Sequence, residues 1–333
     1  MRIPPGCDPD SILLTFPVAR EHAGLRLDRF VQSRIPRLSR TRAQKIVAAC
    51  AYRPDGTLRR PSDRVRVGEV VLLVRPRFRE PDVPMTFEVV FEDEHVLAID
   101  KPAGLPMHPT ASYHRHTLTW LLRERYGDAA PTIAHRLDRE TSGLVVCGKG
   151  PDSARALKRA FERRSVDKTY LAIVEGRLPD EAGEVDLPLA SVREGLHIMM
   201  EVRDAGPASR ARTEYRVVAR AAAHTLLELH PLTGRQHQLR VHMAAIGYPI
   251  VADKLYGPRG NAPFLEVIET GLTEELIARL GHHRQALHAQ HLAVRHPRGD
   301  DHVLQLRAPL AEDLGALWVR LGGADIDSAG PAC

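Results

Sequence analysis

The first quarter of the chain has a pattern of apolar and polar positions that predicts two short helices and a strand. In LRLDRFVQSRI, the residues that share one apolar helical face are Leu27, Phe30, Val31 and Ile35. Ser39 precedes RTRAQKIVAAC and is suited to cap a second helix. The alternating, β-branched run DRVRVGEVVLLV predicts a strand. We therefore expect a small α/β module at residues 24–74, after an N-terminal extension at residues 1–23.

From residue 85 onward the pattern is rich in strands, with few helices between them. Strands are predicted in TFEVVFED, HVLAIDK, SGLVVCGK, KTYLAIVEG, ARTEYRVVAR, HTLLELHP and HAQHLAVRHP. Helices are predicted in SARALKRAFERR, from near Arg235, and in LAEDLGALWVRL. This mixture predicts an α+β domain over residues 85–321 with a mixed, largely antiparallel sheet. The Pro- and Arg-rich residues 75–84 are expected to form a linker, and residues 322–333 a C-terminal tail.

Charge is distributed unevenly along the chain. Residues 1–80 hold 17 Lys or Arg against 8 Asp or Glu, a net of +9 in a 333-residue chain whose formal net charge is +5. Clustered cations gain by displacing counterions from phosphates, so this module is expected to bind a nucleic acid. Its candidate phosphate contacts are the cations on the exposed face of the second helix, Arg40, Arg42 and Lys45. High arginine usage across the genome is the alternative explanation.

Other compositional features narrow the class of protein. No stretch approaches the roughly 18 apolar residues that a membrane helix requires, and the N-terminus does not have the pattern of a signal peptide. The four cysteines are scattered without metal-ligand spacing, which favours ordinary reduced thiols. We therefore expect a cytoplasmic protein without a membrane partner, and a monomer is the default.

The densest candidate for chemistry is IAHRLDRETSGLVVCGK, residues 133–149. Asp138 precedes Thr-Ser-Gly, a combination typical of a tight turn between two apolar strands. A turn of this kind would hold the carboxylate on a rigid loop, where catalytic groups are commonly placed. The alternative is that Asp138 merely caps the turn.

Three further segments carry polar residues at suggestive positions. IDKPAGLPMHP (residues 99–109) contains Lys101 in an irregular, Pro- and Gly-rich excursion. In DKTYLAIVEG, Lys168 and Tyr170 share one face of a predicted strand, and the tyrosine ring could stack on a base. In the segment at residues 232–257, Arg240 could pair with a buried carboxylate and keep it ionised. Each of these also has an ordinary interpretation as a surface or packing residue.

Histidine spacing does not predict a metal site. His237 and His242 are five residues apart and would not share a helical face. The group formed by His282, His283, His288 and His291 also lacks a ligand pattern, so no metal is expected.

Together, these segments resemble the RluA-like pseudouridine synthases over residues 85–310. HRLDRETSGL resembles the family's signature segment. DKPAGLPMHP, DKTYLAIVEG, TGRQHQLRVH with GYPIVADKLYG, and RQALHAQHLAVRHP resemble its other blocks, in the family's order. Ala252 stands where the family usually has glycine. Residues 24–74 resemble, more weakly, the RNA-binding module first described in ribosomal protein S-four.

The resemblance implies an RNA-modifying enzyme with the pseudouridine synthase fold, acting on ribosomal or transfer RNA without a cofactor. It implies that Asp138 attacks the nucleoside or abstracts a ribose proton, and that Arg240 orients it. Tyr170 would stack on the target base and help remove the carbon-5 proton. Arg136 would take the place of the extruded nucleotide in the RNA stack. Lys101 and Lys168 are counted with it as candidate RNA contacts.

Two other classes of protein compete with this interpretation. A catalytically inert RNA-binding or ribosome-assembly protein could keep the same fold, although Asp138, Tyr170 and Arg240 are all present. A glycosidase would need two carboxylates about 5–10 Å apart, and Glu140 is the other acid in the Asp138 segment. An aspartic protease would need Asp followed directly by Thr/Ser-Gly, whereas two residues intervene here.

Overall fold

The computed structural model describes residues 2–35, 38–75, 80–110, 112–299 and 302–325. It divides the chain into two compact units, residues 1–80 and residues 81–333. No helix in the described part of the chain is long and apolar enough to cross a membrane.

The first unit packs two helices against a small antiparallel sheet. The helices are α1 (Leu27–Arg34) and α2 (Arg40–Cys50). The strands are β1 (Ile12–Pro17), β2 (Ala51–Tyr52) and β3 (Val70–Arg75), and β3 pairs with both of the others. The apolar side chains buried between the helices and the sheet include Leu27, Phe30, Val31, Val47, Val71 and Leu73.

The elements predicted for this module are confirmed, but its boundary differs. Ser39 caps α2, accepting a hydrogen bond from the Arg42 amide at 3.3 Å. The strand begins only at Val70, because the chain before it is occupied by turns. β1, which lies in the predicted extension, pairs with β3 from Ile12 to Pro17. Its six-residue run is too short for its period to identify a strand, and it gains that structure from the edge of β3. Of the predicted linker, residues 76–79 lie outside the described residues.

The second unit is built on one large sheet. Its strands are β4 (Glu88–Glu92), β5 (Val96–Lys101), β6 (Thr132–Ile133), β7 (Ser142–Gly148), β8 (Asp167–Glu175), β9 (Ala182–Asp186), β12 (Arg212–Arg220), β13 (His224–Pro231), β14 (Leu287–Arg295) and β15 (Val303–Arg307). A separate hairpin consists of β10 (Leu189–Ser191) and β11 (Met200–Val202).

The order along the large sheet is β4-β5-β7-β14-β8-β13-β12-β9, with β15 paired to β14 and β6 to β7. Among the described strands, every pair is antiparallel except β7 with β14, which share only two registered positions. β14 therefore joins an early half of the sheet, built around β7, to a later half built around β8 and β13. The predicted α+β class with a mixed, largely antiparallel sheet is confirmed.

Helices cover both faces of the sheet. They are α3 (Leu118–Tyr126), α4 (Gly150–Glu162), α5 (Gln238–Ala245), α6 (Ala262–Thr270), α7 (Glu274–Leu280) and α8 (Glu312–Arg320). Alternate residues of β7 point to opposite faces. Val145 therefore packs with α3, whereas Val146 packs with α4. Burial on both faces explains why β7 is apolar throughout. Because helices pack on both sides of it, β7 holds in place the loop that precedes it, which contains Asp138.

All seven strands predicted for this domain are present, as are the three predicted helices. The helix predicted from near Arg235 begins at Gln238, because His237 has a left-handed backbone that cannot belong to it. Short strands such as β9 and β15 and the helices α3, α6 and α7 were not predicted. Of the predicted tail, residues 326–333 lie outside the described residues.

Candidate active site

Asp138 lies in the loop between β6 and β7, at the centre of the large sheet. The Thr141 amide donates to the Asp138 carbonyl oxygen at 3.1 Å and closes a tight turn. Gly143 follows with φ +109°, and a Cβ atom there would lie 2.2 Å from the carbonyl oxygen of Ala289 in β14. Only glycine lets β7 approach β14 so closely, which fixes the backbone on which Asp138 is mounted.

Lys101 supports this loop from beneath, and the prediction that it contacts RNA is wrong. Its side chain is 0% exposed. Its ammonium donates to the carbonyl oxygens of Pro102 at 2.8 Å, Leu105 at 3.1 Å and Arg139 at 3.2 Å. The Arg139 carbonyl also accepts from the Gly104 amide at 2.8 Å. Lys101 is the last residue of β5, and the irregular segment that follows this strand folds over its side chain.

Arg240, on α5, is the residue that holds the Asp138 side chain. Its Nη1 donates to Asp138 Oδ2 at 2.9 Å. Its Nε and Nη2 donate to the two oxygens of Asp253 at 2.6 and 2.8 Å. Asp253 is completely buried and also accepts from the amides of Leu255 and Tyr256 at 2.9 and 3.1 Å. The arginine is thus fixed from behind by one carboxylate while it presents a single donor to the other.

This arrangement keeps Asp138 ionised. Burial acts to raise the pKa of Asp138, but the Arg240 guanidinium, helped by His237, outweighs it and holds the pKa below its usual value. The pKa of Arg240 is raised, because its two carboxylate partners outweigh the effect of its own burial. The carboxylate is therefore available in its charged form throughout the neutral range.

A cavity of about 440 Å³ opens above Asp138. The predicted site residues that line it are Arg136, Asp138, Lys168, Tyr170 and Arg240. Burial, followed by the charge of Asp138, raises the pKa of the Tyr170 phenol, so Tyr170 keeps its proton at neutral pH. Lys168 lies near the Thr233 carbonyl oxygen at 3.5 Å. The structure brings these five residues together, although they are distant in sequence.

Several residues of the site received no role in the sequence analysis. Asp253 fixes Arg240, and Tyr256 lies with its ring centroid 5.1 Å from the arginine's guanidinium carbon. His237 lines the cavity, with Nε2 3.8 Å from Asp138 Oδ1. All three lie in the segment at residues 232–257, and Ala252 within it has φ +57°, which explains why glycine suits that position. The motif in this segment indicated that the region was important, but the contacts of these three residues arise only from tertiary packing.

Glu140, the other acid of the Asp138 segment, does not face the cavity. Its carboxylate accepts from Lys254 at 2.9 and 3.1 Å and from Arg139 at 3.2 Å. Among the described residues, Asp138 is the only carboxylate lining the cavity. The paired acids of a glycosidase are therefore not found in this part of the structure.

The four histidines between residues 282 and 291 that were considered for metal binding lie in two separate places. His282, His283 and Asp313 present ligand atoms within 4.8 Å of one another. Arg284 already occupies Asp313, however, donating to its two oxygens at 2.6 and 2.7 Å. This group is an ion-paired cluster around Arg284. His288 and His291 lie on β14, where His288 contacts Ser142 and His291 contacts Gln305.

Comparison with solved structures defines the class of fold. The structure of human RNA pseudouridylate synthase domain containing 4 aligns with a TM-score of 0.56 and 28% sequence identity, over 71% of this chain and 93% of that one. The fold built around Asp138 is therefore that of the pseudouridine synthases.

Comparison of sequences defines the family. The RNA pseudouridylate synthase family profile matches residues 95–245. Ribosomal large subunit pseudouridine synthase D of Zymomonas mobilis is 36% identical over 91% of this chain and 96% of its own length. The protein of the same name from Xanthomonas campestris is 38% identical over 94% and 93%. The chain belongs to the RNA pseudouridylate synthase family and is an enzyme that isomerises uridine in RNA. The S-four-like character of residues 24–74 stays a prediction.

Proposed function

We propose that this enzyme modifies uridines of large-subunit ribosomal RNA, with Asp138 as its catalytic carboxylate. The observation that carries the catalytic assignment is the 2.9 Å contact between Arg240 and Asp138 Oδ2 at the cavity, which leaves Oδ1 without a hydrogen bond among the described residues. The substrate assignment is supported by the names of the two bacterial relatives. Transfer RNA is the alternative substrate.

The proposed reaction is balanced in atoms and electrons. Asp138 begins it at the ribose, either by attack on the anomeric carbon or by removal of a neighbouring proton. The bond from that carbon to N1 of uracil breaks, the base turns within the cavity, and a bond to C5 forms. As it forms, the bond between Asp138 and the anomeric carbon breaks or, on the other route, Asp138 returns the proton to the ribose. The proton leaves C5 and N1 gains one, so the product is an isomer of the substrate. Because no electrons or groups enter or leave, the chemistry requires no cofactor.

The groups around Asp138 are suited to holding an extruded nucleotide. Tyr170 presents a neutral ring on which uracil can stack, a contact worth about 1–3 kcal/mol. Its pKa is raised, so the phenol stays neutral and helps by orienting the base, while the regenerated Asp138 carboxylate accepts the C5 proton. Arg136 is exposed at the cavity rim, where it can replace the target base in the RNA stack. Filling that gap offsets part of the few kcal/mol that flipping costs.

A basic groove leads away from the active-site cavity. A second cavity of about 480 Å³ shares Arg136 with the first and is also lined by His108, Arg123 and Lys158. A third continues along α4, past Lys158 and Arg159. Within the described parts of the chain, no hydrogen bond or ion pair engages the side chains of these lysine and arginine residues. We assign this groove to the phosphates that flank the target uridine.

The first unit supplies a further set of candidate phosphate contacts. Arg40, Arg42 and Lys45 are all exposed on α2. Replacing them together with glutamine in the full chain is expected to reduce the slope of log affinity against log salt by about 2–3, at about 0.7–0.9 per phosphate contact. An unchanged slope would show that these cations do not contact RNA.

The oligomeric state and the cellular location belong to the same proposal. The monomeric state stays a prediction. The cytoplasm is supported by the relatives named for the large ribosomal subunit.

The experiment that tests the proposal is pseudouridine mapping of total RNA from cells with and without the gene. We expect specific large-subunit sites to be lost on deletion and restored by the wild-type gene, but not by Asp138→Asn. Lost sites confined to transfer RNA would reject the ribosomal assignment. Restoration by Asp138→Asn would reject the catalytic one. Purified enzyme on transcripts of each RNA provides the matching reconstitution.

A further inference from the structure

His237 stands beside Asp138 in a conformation that few residues adopt. Its φ and ψ angles are 54° and 16°, in the left-handed region, immediately before α5 begins. Strained backbone of this kind persists where surrounding contacts determine it, and it is concentrated at functional sites. Here the imidazole lines the active-site cavity, although its side chain is only 10% exposed.

The hydrogen bonds of Tyr256 determine which nitrogen of His237 carries the proton. The Met200 amide donates to the Tyr256 hydroxyl oxygen at 2.8 Å. The same hydroxyl lies 2.8 Å from His237 Nδ1. If Nδ1 carried the proton and donated it to this oxygen, the phenol proton would have no acceptor among the described residues, so the arrangement favours donation from the phenol to Nδ1. Burial raises the pKa of Tyr256 to about 12, so that proton is retained. A neutral imidazole that accepts at Nδ1 carries its proton on Nε2.

The two oxygens of Asp138 are not equivalent. Oδ2 accepts from Arg240 at 2.9 Å. Among the described residues Oδ1 accepts no hydrogen bond, and His237 Nε2 lies 3.8 Å from it. That distance is too long for a hydrogen bond, but a movement of about 1 Å would close it. Hydrogen bonds at catalytic groups are often long before substrate binds and tighten afterwards.

We propose that His237 is a positioning residue that donates its Nε2 proton to Asp138 Oδ1 when RNA fills the cavity, with Tyr256 fixing its orientation. Arg240 and His237 then grip opposite oxygens and turn the carboxylate toward the ribose. The donor also stabilises the charge of the carboxylate each time it is regenerated. The inference rests on the proposed role of Asp138.

The environment of His237 is consistent with a neutral donor. Burial lowers the pKa of His237 to about 4, although Asp138 opposes this. The charged and titratable groups that face it are Arg136, Asp138, Arg240, Asp253 and Tyr256. Since a donor to an ionised carboxylate lowers its pKa, removing His237 raises the pKa of Asp138. The acid limb of the rate profile therefore moves to higher pH, an effect that a merely structural role would not produce.

The test is a set of single-turnover measurements at saturating RNA with full-length variants. His237→Ala should slow the reaction by about 10²-fold, with RNA affinity within a few-fold, and should shift the acid limb upward. His237→Gln should recover much of the rate, because its amide can supply a donor near the Nε2 position. Tyr256→Phe should slow the reaction less, and the double variant His237→Ala/Tyr256→Phe should be no slower than His237→Ala.

Control variants distinguish a failure of the role of His237 from a failure of the proposed role of Asp138. His242 is a buried histidine of α5, the helix that follows His237, and it is hydrogen-bonded to Thr213 and the Leu187 carbonyl. His242→Gln should leave the acid limb in place, whatever it does to stability. An active Asp138→Asn would overturn the proposed function itself. An inactive Asp138→Asn beside a His237→Ala variant of normal rate and pH profile would overturn only the role of His237. Additive losses of rate in the double variant His237→Ala/Tyr256→Phe would also overturn the role of His237. If His237→Ala does not fold, His237→Gln and Tyr256→Phe still decide the question.

Discussion

Arg240 bridges two carboxylates of different character, Asp138 at the cavity and Asp253 in the interior. Three of its guanidinium nitrogens are engaged, one with Asp138 and two with Asp253. The interior carboxylate compensates the buried arginine and fixes its plane. Because of this, Arg240 can present a single donor to Asp138 in a set direction, and that donor engages Oδ2 alone.

Replacing Asp138 with Asn should abolish turnover. We expect a loss of at least about 10³-fold, with RNA affinity within a few-fold of wild type, since the amide keeps the shape but cannot react at the ribose. Glu140→Gln is the matched control, because this neighbouring carboxylate pairs with Lys254 outside the cavity. It should retain most of the rate. Full turnover by Asp138→Asn, in a preparation free of the host enzyme, would contradict the assignment.

Replacing Arg240 with Lys should damage both activity and stability. One ammonium cannot reproduce the planar contact with Asp253 and also reach Asp138. Breaking this buried pairing should lower the free energy of unfolding by about 3 kcal/mol and turnover by about 10²-fold. Arg216→Lys is the control, since Arg216 is half exposed where it pairs with Glu228, and it should cost below about 1 kcal/mol. If denaturant titrations gave equal losses in the free energy of unfolding for the two variants, burial of the Arg240 ion pairs would not contribute to stability.

Replacing Lys101 with Met should leave RNA affinity unchanged but weaken the fold. The carbonyl oxygens of Pro102 and Leu105 lose their donor and that of Arg139 keeps only the Gly104 amide, so the expected loss is about 2–3 kcal/mol in the free energy of unfolding. Lys168→Met is the comparison, because Lys168 lines the cavity. It should reduce affinity for RNA at low salt. A loss of affinity with Lys101→Met that matched Lys168→Met would reinstate the direct contact that the structure contradicts.

Turnover at saturating RNA should be independent of pH from about 5 to 9 as far as Asp138 and Tyr170 are concerned. The pKa of Asp138 is lowered and that of Tyr170 is raised, so both keep one protonation state across this range. The folded-state pKa values of Asp138 and Asp253 are both lowered. Their contribution to stability is therefore present above the unfolded value of about 3.9 and is lost as the pH falls through the folded values. A decline of the single-turnover rate below about pH 6 would contradict the predicted pH independence of turnover.

The basic groove predicts a specific salt dependence. Replacing Arg123, Lys158 and Arg159 together with Gln should reduce the slope of log affinity against log salt by about 2–3. The rate at saturating RNA should stay within a few-fold, because none of the three lines the active-site cavity. Arg298→Gln, outside the groove, serves as the single-charge comparison. An unchanged slope for the triple variant would show that the RNA follows another path.

Much of the fold was predictable because its strands are strongly patterned. β7 is apolar on both faces and β8 carries an apolar run at residues 170–174, so the sequence alone predicts both strands. β9 and β15 were missed because each has only five residues, which span about two periods of a strand pattern. The segment of β1 was too short to be separated from a loop without its partner β3.

The sequence predicted which residues belong to the active site better than it predicted the contacts between them. The motif segments pointed to Asp138, Tyr170 and Arg240, and the structure places all three on one cavity. Lys101 was misassigned, because sequence does not show whether a lysine after a strand points to solvent or beneath a loop. The roles of Asp253 and Tyr256 depend on a turn folding back onto α5, which no local pattern reveals.

The short parallel pairing of β7 with β14 has a consequence for the order of assembly. β14 lies between β7 and β8, yet it follows both of them in the chain by more than a hundred residues. A chain stopped before Leu287 would carry Asp138 on one partial sheet and Arg240 beside the other, without the strand that unites them. The early and late halves can each be synthesised in full, but the ion pair of Asp138 and Arg240 acquires its rigid frame only when β14, one of the last strands, is inserted.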